Sequence, residues 1–284
     1  MKTIHKIFIS KFIYKLLTLL GFKKNILIEK SSIKWKLDIS EGIDLSIFLF
    51  GGFQKPLIFS ILKLLKKISK NKSKIIFIDI GSNIGDKSLS IARKLISNRI
   101  NNFEIFSIEP TEFAYNKQEF NINLNPDLKK KINLDNYFIS DNKKQISKIY
   151  SSWSLNKKHN YHPIHGGYLK KVMKNTKIIS LDEFIYKKKI KDNIIVKIDV
   201  DGSELDVLRS CKKSLRKKNI IFFMEYAPYA FEEHDGNEEQ FFNFIKKNNL
   251  KIYDLKFREL KKIKIWEGKS IDIILAKNIN KKSL

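Results

Sequence analysis

Apolar residues along this chain change their period many times, and each change marks an element. Ile75–Ile80 is an apolar run rich in β-branched side chains and broken only by Asp79. That is the pattern of a strand buried on both faces. Gly81 and Gly85 punctuate the residues that follow, and over 84–95 apolar positions recur at helical spacing. Strand, glycine turn and helix in that order form half of a βαβ unit. The alternation continues. Segments 103–110, 132–140, 177–181, 194–200, 220–225, 251–255 and 270–276 read as strands. Segments 113–124, 182–189, 203–215 and 238–248 read as helices. Repeated strand and helix units of this kind predict an α/β fold.

A leader precedes the first unit. Segment 4–20 is apolar but interrupted by Lys6, Lys11 and Lys15. It is too short and too charged to cross a bilayer and lacks the unbroken apolar centre of a signal peptide. It reads as an amphipathic helix. We expect it to pack on its own domain, with peripheral contact to an anionic membrane as the alternative. Segment 26–39 alternates like a hairpin, Gly51 and Gly52 mark a turn, and Pro56 opens a helix over 57–68. We expect residues 1–70 to cap the sheet and residues 71–284 to form the main domain.

Composition narrows the picture. The chain has 284 residues and a net charge of +26. Such charge favours acidic partners. Yet Arg stands only at Arg93, Arg99, Arg209, Arg216 and Arg258, so almost all of the 56 basic residues are Lys. Recognition of phosphates and bases tends to enrich Arg, whose fork binds two oxygens. We therefore expect no specific nucleic-acid partner. Cys211 is the only cysteine, which excludes an intrachain disulfide and a cysteine zinc site. With no secretory leader in view, we expect a cytoplasmic protein.

The candidate chemistry lies at strand ends. The glycine turn lacks the Lys-Ser or Lys-Thr ending of a phosphate loop, and it lacks one glycine of the dinucleotide pattern. Asp79 before it repels phosphate and suits a ligand carrying an ammonium group. S-adenosylmethionine has such a group, a sulfonium and no phosphate. Glu109 closes the second strand 24 residues beyond Gly85, where a carboxylate accepts bonds from ribose hydroxyls. Asp141 follows the third strand, placed to reach an adenine amino group or simply to start a turn. Asp199, Asp201 and Glu204 cluster after the strand over 194–200, and Glu225 closes the next. Asp79, Glu109, Asp199 and Glu225 are thus expected in one register along one crevice. Segment 150–168 has no periodicity and holds His159, His162 and His165. It reads as a lid. No metal site is expected from this trio.

These residues resemble a known family. Asp79-Ile-Gly-Ser-Asn-Ile-Gly85, Glu109-Pro110, Ser151-Ser152, Ser180-Leu-Asp182, Lys197-Ile-Asp-Val-Asp-Gly-Ser-Glu204 and the strand ending at Glu225 look like FkbM-type methyltransferases. The resemblance covers roughly residues 50–255. It implies a Rossmann-like fold, with a seven-stranded, mostly parallel sheet, helices on both faces and an antiparallel last strand. It implies S-adenosylmethionine as methyl donor and a hydroxyl acceptor on a sugar, a glycan or another small molecule. By the same analogy Asp79, Gly81, Asn83 and the Gly85 turn hold the methionine end, Glu109 the ribose and Asp141 the adenine side. Asp199, Asp201 and Glu204 line the reaction crevice. Asp201 stands where the family often has Glu. Asp199 is the first candidate to take the acceptor's proton, with the lid residue His162 as its rival. The rival functions are a nucleic-acid methyltransferase and a non-catalytic basic protein of the same fold.

Overall fold

A computed structural model describes residues 3–70, 73–142, 148–151, 155, 168–191, 194–217, 219–231, 236–263, 265 and 269–279. The leader folds as α1 (Thr3–Leu19), a hairpin of β1 (Asn25–Lys30) and β2 (Ile33–Asp38), α2 (Gly42–Phe50) and α3 (Lys55–Ser69). The first βα unit is β3 (Ile75–Ile80) and α4 (Asp86–Ser97). Then follow β4 (Phe103–Ile108), α5 (Glu112–Asn123), α6 (Pro126–Lys129), β5 (Ile132–Asp135), β6 (Tyr137–Ile139), β7 (Lys148–Ser151), β8 (Tyr168–Lys171), β9 (Lys177–Ile179) and α7 (Leu181–Lys187). The last third holds β10 (Ile194–Ile198), α8 (Glu204–Arg209), α9 (Lys212–Lys217), β11 (Ile220–Tyr226), α10 (Pro228–Phe231), α11 (Glu238–Lys247), β12 (Lys251–Tyr253) and β13 (Ile271–Ala276).

Seven strands form the central sheet in the order β12-β13-β11-β10-β3-β4-β5. Pairs among β11, β10, β3, β4 and β5 are parallel, and β13 runs antiparallel to both neighbours. This is the expected Rossmann-like α/β architecture. Strand order reverses between β10 and β3, so their following helices leave on opposite faces. One face buries Ile76, Ile78 and Ile80 with Val196 and Ile198 beneath Phe184, Leu205, Leu208, Phe241 and Ile245 of the C-terminal helices. The other buries Phe77, Ile105, Ile195 and Phe223 against Leu89, Ile91 and Leu95 of α4. Trp35, Leu37, Leu57 and Ile61 of residues 1–70 belong to that second layer. Among the described residues no single helix is long and apolar enough to cross a membrane.

Three elements differ from the sequence expectation. The strand expected over 132–140 breaks at Asn136. Its side-chain amide donates to the Glu109 carbonyl at 3.0 Å, while Thr176 donates to its oxygen at 2.6 Å. The chain then leaves the sheet and β6 pairs with β9 instead. The helix expected over 203–215 is two helices. Ser210 turns its hydroxyl back to the Val207 carbonyl at 2.7 Å, and Asp182 caps α9 by accepting from Lys213 and Ser214 N–H. Cys211 lies in that break, buried, and burial pushes its thiol well above the usual range. Segment 42–50, left without an element from its pattern, is a helix closed by Gly51 in the left-handed conformation.

Trp35 lies 2% exposed on β2, far from the glycine turn in sequence. Trp35→Ala should cost about 3–5 kcal/mol of global stability, as a large aromatic removed from a shared core does. Denaturant unfolding followed by fluorescence and by circular dichroism should shift together. Loss of only a minor, separate transition would show that the leader is an independent unit.

Candidate active site

The site is built on one level of the sheet. Register places Lys197 beside Asp79, and Asp79 beside Ser107. All three face the layer of α4 and α5. Asp79 is fully buried and Lys197 is 2% exposed. Two opposite charges at such depth persist only because they meet each other and hydrogen-bonding groups. Lys197 Nζ stands 3.2 Å from Asp79 Oδ1 and 3.4 Å from Asp199 Oδ2. It donates to the Gly81 carbonyl at 2.8 Å and lies 3.3 Å from the Ile80 carbonyl. Burial opposes the charge on Lys197, but Asp199 and Asp79 outweigh it and hold the ammonium well above its ordinary value.

The other Asp79 oxygen accepts from Ser88 of α4 at 2.7 Å. Ser88 also lies 2.7 Å from the Ser107 hydroxyl, and Gln118 of α5 donates to Ser107. Ser82, inside the glycine turn, donates to Gln118 at 2.7 Å. The chain of bonds therefore leaves β3, passes through α4, β4 and α5, and returns to the turn.

Gly81 and Gly85 are required by this arrangement. Gly81 has φ +72°, and a Cβ there would stand 2.0 Å from the Asp199 carbonyl oxygen. Gly85 has φ +87°, and its Cβ would meet Gln118 Cγ at 3.0 Å. Both glycines thus permit close packing of protein on protein as well as an open turn. Asn83, at φ +51°, donates its N–H to Glu109 Oε2 at 2.9 Å. The second Glu109 oxygen accepts from the N–H and the hydroxyl of Thr111. Burial raises the Glu109 carboxyl, and these bonds oppose the rise.

The expectation of four acids in one register needs correction. Ile198 pairs with Met224 and with Ile80, and Ile80 with Ile108. Glu109, Asp199 and Glu225 therefore share the level one residue beyond, with Gly81 as the β3 member. Asp79 sits two residues deeper, opposite Ser107 and Lys197. Its burial against a lysine explains the difference. It holds the turn from below and does not share the outer level.

Around Asp199 the acids converge. Asp199 is 29% exposed at its side chain. Glu204 accepts from the Val200 and Gly202 N–H groups, both at 3.2 Å. Glu225 accepts from Ser270. Burial pushes Glu204 up to about 7, against those N–H bonds. Burial and the Asp199 charge push Glu225 up to about 8. Asp201 is raised well above the carboxylate range by burial and by Asp199, Glu225 and Glu204. Tyr229 is pushed up to about 12 by burial and by Glu225. Among the described residues no group of three or more His, Cys, Asp or Glu is arranged to hold a metal ion.

Asp141 stands outside this assembly. It follows β6, off the main sheet, and its exposed carboxylate lies 3.4 Å from Lys212. His162 falls outside the described residues, as do His159 and His165. Lys197 had no assigned role in the sequence. Its signal was present, since a lysine inside an apolar strand is costly unless paired.

A glycine turn and carboxylates gathered at the switch point of a doubly wound sheet form the class of site defined here. Residues 79–262 match the family model described as the methyltransferase FkbM domain, and the chain belongs to that family. No curated protein matches the sequence. Among solved structures, methyltransferase FkbM from Methylobacillus flagellatus KT is 15% identical with TM-score 0.41, the match covering 72% of this chain and 43% of that one. This chain thus spans less than half of that protein's length. Human methyltransferase 10 domain containing protein is 11% identical with TM-score 0.42, covering 82% and 91% of the two chains. P. horikoshii TYW2 in complex with MeSAdo is 14% identical with TM-score 0.39, covering 93% and 81%.

Two predictions follow from the geometry. Lys197→Met leaves Asp79 buried beside an apolar stem and should cost about 3–5 kcal/mol. The double variant with Asp79→Asn should recover about 0.5–3 kcal/mol relative to the two single losses added together. Additive losses in urea titrations would mean that the pair is not coupled. The second concerns pH. Glu204 and Glu225 keep protons in the fold where the unfolded chain has lost them. Their stabilising contribution is complete below about pH 4.5 and disappears as pH rises through about 7 and 8. Melting temperature should decline over that window, and Glu225→Gln should flatten its upper part. An unchanged pH profile in that variant would place the titration elsewhere.

Proposed function

We propose that this chain is an S-adenosylmethionine-dependent methyltransferase acting on a hydroxyl of a sugar, a glycan or another small metabolite. The observation that carries the reading is the sign of the crevice. The chain has a net charge of +26, yet Glu109, Asp199, Asp201, Glu204 and Glu225 gather at the carboxyl ends of β4, β10 and β11. Lys197 is committed to Asp79, Asp199 and the backbone of the turn. The part-exposed Asp199, among carboxyl groups whose oxygens accept hydrogen bonds in either protonation state, fits a donor with an ammonium and a sulfonium and disfavours one with phosphates. The residues present therefore suit the donor that family membership implies.

The turn from Gly81 to Gly85 and Glu109 would hold that donor, the turn through bare backbone and Glu109 through its carboxylate. The donor would supply a methyl carbon activated by a sulfonium, which departs as a neutral thioether. The protein has little covalent work to do. Lys197 fixes the turn and Asp199 relative to each other, which sets the orientation needed for an in-line displacement. Asp199 remains part exposed at the outer level, positioned to receive the proton of an acceptor hydroxyl. The raised Glu204 and Glu225 beside it keep part of the cluster neutral near pH 7, which lessens repulsion of the Asp199 charge.

Isothermal titration with S-adenosylmethionine and its demethylated product tests the donor. Both should bind, and Glu109→Ala should weaken each by about 1.5–3 kcal/mol, the value of hydrogen bonds to a charged group. Unchanged affinity in the folded variant would remove Glu109 from the site. Asp199→Asn should keep donor affinity, lower melting temperature by the loss of one partner of Lys197, and reduce turnover per folded molecule about 10²–10⁴-fold. Labelled donor offered to glycan, lipid and nucleic-acid fractions identifies the acceptor. Transfer to nucleic acid alone would reject the hydroxyl reading and keep the methyltransferase.

A further inference from the structure

Helix α1 carries two apolar stripes, and only one is used by the fold. Ile13, Tyr14 and Leu17 pack on the cluster of Ile39, Leu45 and Leu155. Four large side chains on another side of the helix face solvent. Phe8 is 75% exposed, Phe12 65%, Leu16 47% and Leu19 76%. Their spacing of four, four and three residues places them on one line along the helix. Leu20 and Phe22 continue the exposed apolar run past the helix end. A helix that only covers a core carries polar residues on its outer side. A line of exposed aromatic and aliphatic side chains marks a contact surface.

Charge identifies the partner. Lys11 follows Phe8 by three residues, and Lys15 lies between Phe12 and Leu19 on the same turns, so both border the stripe. Lys23 and Lys24 follow the helix, and no acid precedes Glu29 in the chain. A second copy docked through this stripe would bring like charges together, since Lys15 and Lys23 of each copy would face those of the other. An anionic surface with an apolar interior uses both features at once.

We propose that α1 lies in the headgroup layer of an anionic phospholipid bilayer. Phe8, Phe12, Leu16 and Leu19 enter the acyl boundary, and Lys15 and Lys23 meet the lipid phosphates. The helix spans about 25 Å at 1.5 Å per residue, and its middle lysines keep it parallel to the surface. The contact is peripheral and leaves the opposite stripe on the protein. It is independent of the reaction performed at the sheet.

The test is co-sedimentation of the full chain with vesicles. One set contains phosphatidylglycerol and phosphatidylcholine, the other phosphatidylcholine alone. The chain should bind the anionic set and release when salt rises from about 0.1 M to several times that value. Phe12→Gln with Leu19→Gln should lower partitioning at least about tenfold. Lys15→Gln with Lys23→Gln should lower it about fivefold per lysine. These positions are on the surface, and melting curves matching the parent chain confirm that the variants fold. Equal binding to neutral vesicles, no binding to either set, or unchanged binding in both variants would overturn the proposal. So would light scattering that shows a dimer which the Phe12→Gln, Leu19→Gln variant dissolves.

Discussion

The buried pair of Lys197 and Asp79 is the constraint on which the site depends. A lysine ammonium and a carboxylate have been carried to the middle of an apolar sheet, where each alone would be prohibitively costly. Their mutual contact does not make the fold stable by itself, because desolvation cancels much of the attraction. What the pair supplies is position. Lys197 has one strand behind it and four acceptors in front, on Asp79, on Asp199 and on the Gly81 and Ile80 carbonyls. It can satisfy them only if β3 and β10 end in one register. Slipping either strand by one residue would send the ammonium into the opposite apolar layer. The glycine turn is therefore held from three sides: by Lys197 below, by Ser82 on Gln118, and by Asn83 on Glu109.

How much of this was legible follows from what each residue type signals. The buried strands, the glycine turn and the order of β3, α4 and β4 announce themselves through period and punctuation. The acids at strand ends announce a crevice. Depth does not show in a pattern, so Asp79 looked equivalent to Glu109 when it lies two residues further in. The partner that pulls it down, Lys197, is more than a hundred residues away in the chain, and only pairing across the sheet brings the two together. The break at Asn136 was hidden for a similar reason. Apolar residues continue on both sides of it, while the groups that arrest the strand, Thr176 and the Glu109 carbonyl, come from other elements. Asp141 follows a strand that has already left the main sheet.

A second ionic group ties the leader to the strand after the irregular segment. Lys117 pairs with the buried Asp44, and Lys170 lies 3.7 Å from Glu41 and 3.8 Å over the Phe113 ring. Burial raises both carboxyls, and the lysines oppose the rise. Lys170 belongs to β8, whose neighbour Val172 bridges Thr111. Thr111 in turn holds Glu109. The leader thus contacts the candidate donor site through a short series of elements, α2 to β8 to the end of β4. Residues 1–70 bring a hydrophobic layer to the sheet and also help fix β8.

Charge is sorted by place in this molecule, and that sorting separates two tasks that net composition confuses. A chain at +26 invites a nucleic-acid reading, yet the groups gathered at the carboxyl ends of β4, β10 and β11 are acidic. The excess lysines lie mostly on the outside, where each is solvated and interacts weakly with its neighbours at physiological ionic strength. A lysine gains selective value only where a second feature aligns with it. In Lys197 that feature is burial between two carboxylates. On α1 it is a line of exposed aromatic and aliphatic side chains. The first use fixes the carboxylates around the glycine turn, as the proposed cationic donor would need, and the second leaves a basic and apolar helix face, as the proposed anionic partner would need. The two surfaces demand opposite signs, so they must be kept apart. The fold does this by placing one at the carboxyl ends of the central strands and the other on the outer side of the first helix.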